Sequence, residues 1–139
     1  MKHIVCIEDD PDVLDFLTIL LNDHEYQVHP VLSSIEGVDT IRHTEADLVL
    51  LDLMMPGKSG WDIMREMRAD PQLTHVPVLI VSACKEKVSR LLDPTFDSSI
   101  IGYVEKPFSP FTIRAQVENI LNPKFSPTNQ TNPLRPLTA

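Results

Sequence analysis

The chain has 139 residues, of which 42% are apolar and 23% charged, enough for one ordinary domain with a core and too few for two. Its net charge of −8 excludes non-specific nucleic-acid binding by the chain alone, because neutralising phosphates needs a basic face. No apolar run approaches the length of a membrane span, acids arrive at Glu8 too soon for a signal peptide, and Cys6 and Cys84 show no CxxC spacing. The chain therefore reads as a reduced cytoplasmic protein with no membrane contact, no disulfide framework and no zinc site.

The first apolar run, His3–Ile7, predicts a strand. Asp10-Pro11 follows as an N-cap with proline at the first helical position. Val13, Leu17, Leu20 and Leu21 then repeat at helical spacing. Tyr26–Val31 predicts a second strand. Ser33 and Glu36 have the spacing of a capping box, opening a helix with Ile35, Val38 and Ile41 inward. Leu48–Leu51 is a third strand, and Ser59 precedes a helix with Ile63, Met64 and Met67 on one side. Val78–Val81 is a fourth strand. Val88, Leu91 and Leu92 suggest a short helix that Pro94 stops. Ile100–Val104 is a fifth strand, and Ser109-Pro110 opens a helix aligning Ile113, Val117, Ile120 and Leu121. From Pro123 the last 17 residues hold four prolines and no acids, and read as a flexible tail, leaving one domain over 1–122. Strand and helix alternate. The first, third and fourth strands are apolar at nearly every position, the mark of strands covered on both faces. The pattern predicts a doubly wound α/β domain with a parallel sheet.

Chemistry collects at the strand ends. The first strand runs into Glu8-Asp9-Asp10, the third into Asp52, the fourth into Ser82 and the fifth into Glu105-Lys106-Pro107. Parallel strands bring these ends to one edge, where open α/β sheets bind ligands. Three carboxylates held close repel by roughly a few kcal/mol per pair, so protons or a cation must relieve them. Oxygen ligands with room for water suit Mg²⁺. A divalent ion beside a carboxylate and a lysine is an arrangement for phosphoryl transfer. Asp10 reads as a helix cap rather than a ligand. The five histidines, at positions 3, 24, 29, 43 and 75, share no ligand spacing and read as surface residues. Cys6 reads as buried and inert, the methionines as loop and core fillers, and Trp61 as packing near the start of the third helix.

The segments I-E-D-D-P, D-L-V-L-L-D-L-M-M-P-G-K-S-G-W-D, V-L-I-V-S-A and Y-V-E-K-P-F resemble those of a response-regulator receiver domain, over about residues 1–122. The resemblance implies a flavodoxin-like, five-stranded parallel sheet in the order 2-1-3-4-5. It implies that Asp52 takes a phosphoryl group from a sensor histidine kinase or phosphotransfer protein. Glu8 and Asp9 would hold Mg²⁺ together with Asp52 and the backbone carbonyl of Met54. Ser82 would be the switch hydroxyl, Lys106 would pair with the phosphoryl group, the Lys106–Pro107 bond would be cis, and Tyr103 would be the aromatic that changes rotamer. Such a module switches a protein surface rather than turning over a substrate. A phosphorylation-dependent homodimer is one output it allows. A phosphatase or phosphotransferase would want a second acid two residues after Asp52, where Met54 stands. A pseudo-receiver that never takes phosphate is the alternative, as is a receiver excised from a longer protein. The segment from Ser82 to Lys106 is longer than the family habit and carries Asp97-Ser98-Ser99 where Ala-Gly-Ala is common.

Overall fold

In the computed structural model, residues 1–83 and 100–123 are described. The elements run β1 (Lys2–Ile7), α1 (Pro11–Leu21), β2 (Tyr26–Val31), a single tight helical turn (Ser34–Glu36), α2 (Gly37–Thr44), β3 (Leu48–Leu51), α3 (Gly60–Ala69), β4 (Val78–Ser82), β5 (Ile100–Glu105) and α4 (Pro110–Leu121). The strands form one parallel sheet in the order β2-β1-β3-β4-β5. The five expected strands are present, with ends shifted by at most one residue.

Alternation along the strands separates two cores. Val5, Ile7, Val49, Leu51, Val78 and Ile80 face the side covered by α2 and α3. Ile4, Cys6, Leu48, Leu50, Leu79 and Val81 face the side covered by α1 and α4. Both faces of the central strands are therefore dry, which is why they read as unbroken apolar runs. Cys6 is fully buried, and burial pushes its thiol up to about 12, so it stays protonated.

The helix starts follow local chemistry. Asp10 accepts a hydrogen bond from the Asp12 amide (2.9 Å), with Pro11 in the first turn. Ser59 and Asp62 cap α3 reciprocally, the Ser59 amide donating to Asp62 Oδ2 at 3.0 Å. Ser109 accepts from the Phe111 amide at 3.2 Å, with Pro110 first in the helix.

Two local readings need correction. Ser33 does not form a capping box with Glu36; it accepts from the Ile35 amide and caps the separate turn, and α2 begins only at Gly37. Ile35, expected inward, is 73% exposed because it sits on that turn, out of phase with Val38 and Ile41. The stripe of α1 is Leu14, Leu17 and Leu21, with Val13 and Leu20 only half-buried at its margins. The expected helix near Val88–Leu92, Cys84 and the tail beyond Pro123 lie outside the described residues.

Candidate functional site

The C-terminal edge of the sheet carries the site. Backbone bonds lock its approach: the Asp52 amide donates to the Ile7 carbonyl (3.1 Å), the Glu8 amide to the Val31 carbonyl (3.1 Å) and the Lys106 amide to the Ser82 carbonyl (3.0 Å). Adjacent strands thus set Glu8, Asp52, Ser82 and Lys106 in one row.

Glu8 and Asp52 are buried and Asp9 is exposed, yet one carboxylate oxygen from each lies within 4.8 Å of the others. Among the described residues no other trio of His, Cys, Asp or Glu converges in this way. The Lys106 ammonium donates to Glu8 Oε1 and also to Asp52 Oδ2, the latter at 3.3 Å. The second Glu8 oxygen accepts from the Asp10 amide (3.2 Å), and Asp52 Oδ1 accepts from the Met54 amide (3.1 Å). Among the described residues, the Lys106 ammonium thus touches two of the three clustered carboxylates. Burial, reinforced by the hydrogen bond and charge of Asp52, pushes the Glu8 carboxyl up to about 7 against the pull of Lys106 and the Asp10 amide. Burial works against the Lys106 ammonium, but its hydrogen bond to Glu8 and the charges of Glu8 and Asp52 outweigh it and hold its pKa above the ordinary value.

The loops after β3 and β5 shape the rim. The Lys106–Pro107 peptide bond is cis, and Gly57 adopts a left-handed φ of 73° that favours glycine. Gly60 presses against the strand end: a Cβ there would lie 2.4 Å from the Asp52 carbonyl oxygen and 2.8 Å from Leu53 Cα. Met54 is 50% exposed and stands beside an open apolar depression of about 370 Å³ with Leu53, Met55, Pro56, Ser59 and Trp61. Ser82 is buried at the end of β4, and Tyr103 is half-buried against the α2/α3 core.

Residues 4–118 match the response regulator receiver domain family. The chain belongs to that family. It is 34% identical over 116 residues to the DNA-binding response regulator MtrA of Mycolicibacterium smegmatis, an alignment covering 84% of this chain and 49% of MtrA. It is 30% identical over 121 residues to hybrid signal transduction histidine kinase D of Dictyostelium discoideum, covering 87% of this chain and 8% of the kinase. The chain therefore spans about half the length of one relative and a small part of the other. The chemotaxis protein CheY4 of Vibrio cholerae shares the fold, with a TM-score of 0.76 at 19% identity, covering 87% of this chain and 99% of CheY4. Receiver domains are modules of two-component signalling, and this chain's acidic cluster has the donor set of a Mg²⁺ site: hard oxygens, one exposed. No described helix is long and apolar enough to cross a membrane.

Of the residues singled out in the sequence, Glu8, Asp9, Asp52 and Lys106 come together around one point. Met54 joins them through its backbone. Ser82 ends β4 at the same edge, and Tyr103 lies on the neighbouring β5 opposite Ile80. The sequence reading missed the Gly60 approach, whose signal was a small residue directly after the Ser59 cap. It also missed a contact between His3 and His29, two half-buried residues that read as surface positions in the sequence.

Proposed function

We propose that Asp52 is the phospho-acceptor of a two-component pathway and that a histidine kinase or phosphotransfer protein is the donor. One observation carries this reading: the Asp52 carboxylate stands at a buried strand end between an acidic pair and the Lys106 ammonium. An Asp52 oxygen attacks the phosphorus of a phosphohistidine, the P–O bond forms as the P–N bond breaks, and the departing imidazole takes up a proton. Lys106, already within reach of Asp52 Oδ2, neutralises phosphoryl oxygens. Glu8, Asp9, Asp52 and the Met54 carbonyl would hold Mg²⁺, which supplies charge neutralisation at the same oxygens. Ser82 would then donate its hydroxyl to the phosphoryl group, and Tyr103 would repack on the α2/α3 face. The output is a changed protein surface, for a downstream partner or a phosphorylation-dependent homodimer.

Incubation with acetyl phosphate and Mg²⁺ should add one phosphoryl mass that is lost with EDTA present or in Asp52→Asn. An adduct of equal yield on Asp52→Asn would overturn the assignment. No adduct on the wild type would favour a binding module that is never phosphorylated.

A further inference from the structure

The contact between His3 and His29 stands apart from the acidic site. His3 alternates with Val5 and Ile7, and His29 with Val31, so both rings point to the face covered by α2. The β1–β2 register sets His29 opposite Val5, diagonal to His3. His3 Nδ1 and His29 Nε2 lie 3.0 Å apart, with ring centroids at 5.2 Å and planes inclined by 35°. Both rings are half-buried on the β2 edge of the sheet. The backbone beneath is fixed: the His3 amide donates to Asp47 Oδ2 (2.7 Å), and the His3 carbonyl accepts from the Asp47 amide (2.8 Å). Burial, then the neighbouring His3, lowers the His29 pKa, so its ring is neutral at neutral pH and keeps a lone pair.

A 3.0 Å separation fits one proton shared between two rings. It also fits two nitrogens bound side by side to one ion. At metal–nitrogen distances of about 2.1 Å, that chord subtends about 90°, whereas a tetrahedral angle would need about 3.4 Å. Right-angled nitrogen ligation is the preference of Ni²⁺ and Cu²⁺ rather than of Zn²⁺. We propose that His3 Nδ1 and His29 Nε2 form a two-point site for Ni²⁺ or Cu²⁺ at the N-terminal edge of the sheet. The ion takes the place of the shared proton, which moves through solvent to the far nitrogen of the ring that carried it, so that His3 is protonated at Nε2 and His29 at Nδ1; each ring turns its lone pair toward the common centre, and water fills the other positions. The site lies five residues down β1 from Glu8, about 16 Å away along the strand. It does not depend on the phosphorylation reading, because the all-oxygen acidic cluster favours the harder Mg²⁺. Its structural effect is a staple from the edge strand β2 to β1.

The test is a calorimetric Ni²⁺ titration of the full chain at pH 7.5 with Mg²⁺ saturating. One Ni²⁺ should bind per chain, and His29→Gln should weaken it by at least about tenfold, the loss of one of two ligands. His29→Gln should leave Mg²⁺-dependent phosphorylation unchanged. His3 is third in the chain, so an amino-terminal chelate through Met1, two amides and His3 is the competing site. Here the Lys2 amide is already bonded to the Glu25 carbonyl (2.9 Å) and the His3 amide to Asp47. Affinity lost in His3→Gln but kept in His29→Gln would put the ion at the amino terminus and overturn the proposal. Equal affinity in both variants and the wild type would also overturn it. A second measurement needs no variant: substoichiometric Cu²⁺ should broaden the ring C–H resonances of His3 and His29 together before those of His24, His43 and His75. Broadening of His3 alone, or of neither, would refute the site.

Discussion

At the scale of single residues, Glu8 links the site to pH. Its carboxyl sits at about 7 in the folded chain, while an unfolded glutamate titrates near 4.3, about the usual value. Between those values the folded state holds a proton that the unfolded state has lost. Stability without Mg²⁺ should therefore fall as pH rises from 5 to 7.5. Asp52→Asn removes the neighbouring charge and should flatten that slope in thermal melts; an unchanged slope would show that Asp52 does not act on Glu8. The same proton competes with Mg²⁺, so Mg²⁺ affinity should weaken on acidification below about 7. Met54 makes a different prediction. Its side chain is half-exposed two residues beyond Asp52, whose carboxylate accepts from the Met54 amide, and a thioether is a poor hydrogen-bond partner for an attacking water. Phosphorylated wild type should lose phosphate slowly, and Met54→Asn should speed the loss by about tenfold or more, through better positioning of water. Phosphate release at equal rates from the two proteins would count against that role. Sequence reading reached Glu8 and Asp52 because each directly follows an apolar run, a local signal, whereas Met54 was reached only through the family resemblance. It did not reach the shared grip of Lys106 on Glu8 and Asp52, which joins positions 98 and 54 residues apart.

At the scale of elements, α3 is seated against the strand end it serves. The Gly60 amide donates to the Leu53 carbonyl (3.3 Å), and no Cβ fits between the helix start and the Asp52 backbone. Gly60→Ala must push α3 or the β3 end aside. It should cost about 1–3 kcal/mol, as overpacking does, and lower phosphorylation yield by moving the Asp52 carboxylate. Denaturant melts and acetyl-phosphate labelling would measure both effects; a neutral substitution would show that the contact is slack. Helix starts at Asp10, Ser59 and Ser109 were legible because caps act within three residues. The start of α2 was not. Ser33 offered a cap with a glutamate at the right spacing, but its hydroxyl served a nearer amide, and Gly37 opens the helix where Ile7 and Ile63 crowd its position.

At the scale of the whole molecule, the fold gathers like charges that a chain of ordinary dielectric response would keep apart. Among the described residues Glu8 and Asp52 share the Lys106 ammonium while Asp9 lies within reach of both carboxylates, so the cluster carries surplus repulsion. Millimolar Mg²⁺ should raise the melting temperature by binding the folded state alone, and Glu8→Gln together with Asp9→Asn should abolish that rise. Equal melting temperatures with and without Mg²⁺ would exclude a shared ion pocket.

Burial on both faces writes unbroken apolar runs into β1, β3 and β4, and their ends mark where polar chemistry begins, so the α/β class and the carboxylate edge were determined by sequence alone. Apolar periodicity records which face a residue buries, not which strand lies beside it. Only the tertiary structure decided the reach of Lys106 from the end of β5 past β4 and β3 to Glu8, the press of Gly60 on Asp52 and the meeting of His3 with His29. Each joins positions that are remote along the chain or hidden by a turn. The parallel register brings them within ångströms, and no local pattern carries that information.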